Sequence, residues 1–199
     1  SALVFLMTGN LVWLTLIVAA IMTIILGMGM PTVSSYILAA VLIGPLLIKL
    51  GIPEMAAHLF LLYYAVLSAI TPPVAVAAFA AASIANDNPM KISFKGVQFA
   101  VGAFLLPFFF VLDPALLGEG SVLDIIWATV RAVLAFALIS VASAGCFMSP
   151  LRVHQRLIAF TIVIPLLAPH LGYQTLGTIA GIGILFWFWF NGRTNVKRV

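Results

Sequence analysis

No charged side chain occurs among the first 48 residues; the first is Lys49. A stretch so apolar is organised by what interrupts it, and here that is Gly27-Met28-Gly29-Met30-Pro31. Glycine tolerates positive φ, and proline lacks an amide donor and clashes with the preceding turn. The five residues therefore unwind a helix between two apolar arms, residues 11–26 and 32–48. Each arm is about 16 residues, roughly 24 Å as helix, against a hydrocarbon core of about 30 Å. Two short arms meeting at a break suit a re-entrant helical hairpin, and two tilted full spans fit the same pattern. Unwound backbone survives in a membrane only where protein buries it or a polar cavity receives it. Such a break between short apolar segments points to a transport site.

A second break follows at Ser68-Ala69-Ile70-Thr71-Pro72-Pro73, inside the apolar run 55–85. Two adjacent prolines remove two amide donors and push Thr71 out of the helical region. The freed carbonyls and the hydroxyls of Ser68 and Thr71 form a set of neutral oxygens, the ligands of hard cations such as sodium. The expected site is thus Gly27, Met28, Gly29, Met30 and Pro31 with Ser68, Thr71, Pro72 and Pro73. Structural kinks are the competing account of each break alone; two breaks one element apart favour a site.

Composition decides the class. Hydrophobic residues make up 64% and charged residues 7%, with mean hydropathy +1.26, where soluble domains carry roughly 25% charge. The chain reads as an all-α integral membrane protein. Its net charge of +4 lies in short loops and at the C-terminus, a topology signal and not a nucleic-acid surface. The opening Ser1-Ala2-Leu3 has neither Met nor a basic leader, as expected of a C-terminal piece of a longer protein or one chain of an assembly. The single cysteine, Cys146, is expected to be a buried, inert thiol.

In order, the reading gives a hairpin over 11–48, a broken helix over 54–85 starting at Glu54, and one span over 92–112 kinked at Pro107. An acidic loop holds Asp113, Glu119 and Asp124. Spans follow over 122–145, 157–168 and 174–190. Lys91 and Lys95, Arg152 and Arg156, and the tail with Arg193, Lys197 and Arg198 alternate with loops that are acidic or lack Lys and Arg. With basic loops cytoplasmic, the C-terminus is cytoplasmic and the hairpin enters from the periplasmic side.

Other features favour packing roles. Arg131 lies some nine residues into its span, where an ionisable group suggests function by default; snorkelling outward or pairing with Asp124, two turns back, is the preferred account. His58 reads as an interfacial histidine. Trp187, Trp189 and Phe190 read as an aromatic belt, and Gly177 with Gly181 as a helix-packing face. The chain has no His-Glu-x-x-His, no Gly-x-Ser-x-Gly and no phosphate-binding Gly/Lys loop, so neither enzymatic hydrolysis nor nucleotide-driven transport is indicated.

Gly-Met-Gly-Met-Pro-Thr, followed about 40 residues later by Ile70-Thr71-Pro72-Pro73-Val74-Ala75, resembles the large membrane subunit of TRAP transporters, the tripartite ATP-independent periplasmic transporters. The likeness covers roughly residues 11–112. The segment 113–199 is similar to the C-terminal extension of fused permeases that work with TAXI-type binding proteins. The resemblance implies an elevator transporter built from inverted repeats, each with a re-entrant hairpin and a broken helix, and with sodium held where they meet. It implies residues 1–112 as the C-terminal part of a transport domain, the N-terminal half being absent. It also implies a periplasmic solute-binding protein as partner, a bacterial inner membrane location, sodium as coupling ion with no other cofactor, and import of a small organic anion. Many relatives carry Gly after Pro-Pro-Val, where this chain has Ala75. A proton-coupled or anion-exchanging elevator without a binding protein, and a non-transporting membrane scaffold, are the rival expectations.

Overall fold

A computed structural model describes residues 12–147, 149–168 and 170–196, with side chains as far as residue 190. The expected features at residues 1–11, Lys197 and Arg198, and the Arg193 side chain, lie outside the described residues. The chain divides into two compact units, residues 1–97 and 98–199.

The first unit is built around α4 (Glu54–Leu67). Its buried residues Ala56, Ala57, Phe60, Leu61, Tyr64 and Ala65 recur at helical spacing, so one face of the helix is closed off. Against it pack α1 (Val12–Gly27), α2 (Thr32–Leu42) and α3 (Gly44–Lys49). Helix α1 buries Thr15, Ala19, Thr23 and Gly27, four small residues at intervals of four, which lets backbones approach closely. The Thr23 hydroxyl donates to the Ala19 carbonyl at 2.7 Å, satisfying a buried polar group within its own helix. The second arm differs from the continuous helix expected over 32–48. It breaks at Ile43, because Pro45 has no amide to offer the Val41 carbonyl. The broken helix appears as expected: α4 runs into a 3-10 turn (Ser68–Ile70), and α5 (Val76–Ala85) resumes after it. His58, half-buried on α4, hydrogen-bonds the Tyr36 hydroxyl of α2 through Nδ1 at 2.9 Å.

The span expected over 92–112 with a kink at Pro107 is bent at Ala100 instead, into α6 (Pro89–Phe99) and α7 (Val101–Leu112). Pro107 stays inside α7. The Ser143 hydroxyl donates to the Gln98 carbonyl, the acceptor that an unbroken helix would offer to the Gly102 amide. The Gln98 side chain returns a bond to the Ser143 carbonyl at 3.0 Å.

In the second unit, α8 (Val122–Ala144) is the central element. It starts on a capping box in which Ser121 and Asp124 bond reciprocally. A 3-10 turn (Pro114–Leu117) precedes it. A short antiparallel ladder of β1 (Cys146–Phe147) and β2 (Ser149–Pro150) follows it. Then come α9 (Val153–Leu166) and α10 (Leu171–Val196). The core joins Leu138, Ile139, Ala142, Ala159, Leu166 and Phe188. The Gly177/Gly181 face packs as expected. A methyl on Gly177 would sit 3.1 Å from the Leu166 amide nitrogen, and one on Gly181 would sit 2.9 Å from Leu134.

Two expectations fail here. Cys146 is exposed, because it lies in the turn beyond α8 and not in the core. Arg131 pairs with Asp113, not Asp124; the Asp124 carboxylate is engaged by the Ser121 amide and hydroxyl.

Among the described residues, Val122–Ala144 and Leu171–Phe190 are each long and apolar enough to cross a membrane, and Pro89–Phe99 with Val101–Leu112 would make a third as one bent span. The apolar helices of the first unit are shorter, at 10–17 residues.

Candidate functional site

Both expected breaks form, and they touch. At the first, α1 ends at Gly27 and α2 begins after Pro31. Without a Pro31 amide, the Gly27 carbonyl accepts from Met30 instead, at 3.2 Å. Gly29 occupies φ +77, the left-handed region open to glycine. At the second, the Ser68 carbonyl accepts from Thr71 at 3.2 Å, since Pro72 cannot donate. Pro73 likewise leaves the Ala69 carbonyl without its helical donor. The Ser68 hydroxyl donates to the Ala65 carbonyl and the Thr71 hydroxyl to the Leu67 carbonyl, each at 2.7 Å. Each hydroxyl oxygen keeps lone pairs for a further partner.

The contact is made by Gly27 against Ser68. A methyl on Gly27 would overlap the Ser68 Oγ, lie 2.8 Å from its Cβ, and lie 2.6 Å from the Ser35 Oγ. Glycine is thus required by close approach. Outside this point, a methyl on Gly29 would meet Val74 at an ordinary 3.5 Å. Of the nine residues expected at the site, Gly27 and Ser68 are buried together. Met28, Thr71 and Pro72 are half-buried, while Gly29, Met30, Pro31 and Pro73 form an exposed rim.

Ser35 belongs to this cluster and was not among the expected residues. It is fully buried, yet its Oγ has no hydrogen-bond partner. A buried hydroxyl left unpaired costs about 1–3 kcal/mol, and the lone pairs of its oxygen are free to meet a further partner. The signal was available: Ser35 is one turn beyond Pro31, in register with buried Ala39. The Ser35 and Ser68 hydroxyls meet at this contact, and the adjoining second break carries the Thr71 hydroxyl and the freed Ala69 carbonyl, all of them neutral oxygens. That donor set fits a hard monovalent cation and offers nothing to a soft metal.

Ala75 follows the second break at φ +35, ψ 54, fully buried. An L-residue held there carries about 1–2 kcal/mol of strain. Ala75→Gly is expected to keep or slightly raise thermal stability. Ala75→Val, with a branched Cβ in a buried left-handed position, is expected to lower it by about 2 kcal/mol or more. Thermal unfolding of the purified variants checks the order.

The sequence matches the family described as tripartite ATP-independent periplasmic transporter, DctM component, over residues 1–125. No curated protein matches the chain, and no solved structure does. The matched segment contains both breaks and their contact and makes up more than half of the chain. The chain therefore belongs to the tripartite ATP-independent periplasmic transporter family as a DctM-type permease component, a multi-pass membrane protein.

Proposed function

We propose that this chain forms part of a sodium-coupled TRAP permease that imports a small organic anion handed over by a periplasmic binding protein. The observation that carries this reading is the Gly27–Ser35–Ser68 contact with its unpartnered hydroxyl. Ser35, Ser68, Thr71 and the Ala69 carbonyl would hold the ion, and the ion would supply a positive charge that ties the hairpin tip to the broken helix. The chain's own part is positional. Gly27 admits Ser68 closely, Pro31 and Pro73 withhold donors, and the half-buried Thr71 keeps the unwound segment bonded to Leu67. Coupling then follows from linkage: an ion that stabilises the joined arrangement raises affinity for whatever else that arrangement binds, and the converse holds equally.

The basic loops support a cytoplasmic C-terminus in a bacterial inner membrane, with the tip reached from the periplasm. A small membrane component completes the tripartite set implied by the family name.

The test is uptake by the full-length permease in proteoliposomes with its binding protein, with sodium replaced by choline. Sodium-dependent uptake is expected. Ser35→Ala and Thr71→Ala are each expected to raise the sodium concentration for half-maximal uptake by roughly tenfold, a loss of about 1.4 kcal/mol of ion affinity. Uptake indifferent to sodium and driven by protons, or proceeding without the binding protein, would establish the rival elevator class. No gradient-driven flux from intact protein would establish a scaffold.

A further inference from the structure

A cavity of about 310 Å³ lies in the second unit where the turn after α8 meets the far end of α10, lined by Ser149, Arg152, His154, Gln155, Trp187 and Phe188 among others. Its charge is one-sided. The acidic residues of this unit are Asp113, Glu119 and Asp124, all at or before the start of α8, about 30 Å of helix away from the cavity. Two arginines stand one turn apart beside it, and they differ. Arg156 is consumed by structure: its Nε donates to the Ala142 carbonyl at 2.7 Å and its Nη2 to the Ser143 carbonyl at 3.1 Å. Arg152 is exposed on the cavity wall with no acidic partner among the described residues. It is also the N-cap of α9, so the positive end of that helix's dipole adds to the same field.

The depth fits as well. Helix α8 is long enough to cross the hydrocarbon core, which puts the turn after it at the interface. There the half-exposed Trp187 ring and the buried Phe188 wall the apolar side. We infer that this cavity binds the phosphodiester headgroup of an anionic phospholipid, with Arg152 and His154 as donors and Trp187 packing beside the glycerol region. Basic pockets between membrane helices recognise such headgroups.

The experiment measures lipid retained by the purified full-length protein in native mass spectrometry, after exchange into detergent with phosphatidylglycerol or phosphatidylcholine. Preferential retention of phosphatidylglycerol is expected. Arg152→Gln should weaken it about fivefold, the effect of one interfacial cation, Arg152→Lys should restore most of it, and Lys49→Gln should leave it unchanged. Equal retention of the two lipids, or an Arg152→Gln protein indistinguishable from wild type, overturns the proposal. Displacement of the lipid by millimolar inorganic phosphate alone also overturns it, in favour of a free-anion site. The readout does not depend on transport, so it stands apart from the sodium site.

Discussion

Gly27→Ala is expected to abolish sodium-dependent uptake by the full-length permease while leaving membrane insertion intact. Two effects oppose each other. Alanine is the better helix former by about 0.8–1.0 kcal/mol, which favours the variant at the end of α1. Its Cβ, however, would fall against three atoms of Ser68 and Ser35 at separations that real Cβ atoms do not show. Forcing a group into packed space costs typically about 1–3 kcal/mol, and here Ser68 Cβ is backbone-attached and cannot swing away. The steric effect wins. With the steric cost at the upper end of that range, a net cost of about 1–2 kcal/mol remains, which lowers the population of the joined arrangement roughly 5- to 30-fold. Ser68→Gly removes both of the Ser68 atoms in question, so Gly27→Ala/Ser68→Gly should recover part of the packing, read as a melting temperature nearer wild type than that of Gly27→Ala alone. Wild-type uptake and melting in the single variant would remove Gly27 from the site.

What the sequence discloses and what it hides follow one physical division. The breaks at Gly27–Pro31 and Ser68–Pro73 were legible because glycine and proline act on their own backbone, within a turn. The break at Ile43 was open to the same argument through Pro45. The break at Ala100 was not, since it stems from Ser143 reaching the Gln98 carbonyl across 45 positions. The burial of Ser35 was open to periodicity, one turn beyond Pro31 and in register with Ala39, but its approach to Ser68 was not, because that contact joins two elements distant in sequence. Cys146 misled through its neighbours, for Gly145 ends α8 at φ +71 and turns the next residue outward. Arg131 and Asp124 share one helical face, yet the local competition was lost to Ser121, three residues from Asp124 and already its cap.

Asp113→Ala is expected to be the most destabilising single change in the second unit. Arg131 is almost fully buried, with its side chain 7% exposed. One terminal nitrogen meets the Asp113 carboxylate and the other donates to the Leu166 carbonyl at 3.0 Å. Its Nε has no partner even with Asp113 in place. Removing the carboxylate therefore leaves a buried cation held by one carbonyl, and breaking a buried pair in this way costs about 3–5 kcal/mol. For a chain of this length that lowers the melting temperature by on the order of 10 °C. The reverse deletion is milder. Arg131→Met keeps most of the side-chain volume, and Asp113, with its side chain 24% exposed, still reaches water and still accepts from the Ala115 amide. The double variant Arg131→Met/Asp113→Ala should melt close to Arg131→Met, well above Asp113→Ala, because the buried cation has gone with its partner. Strict additivity of the two single losses, or equal and small effects of both, would show that Arg131 is solvated by snorkelling and that the pair does not bind α8 to the loop before it.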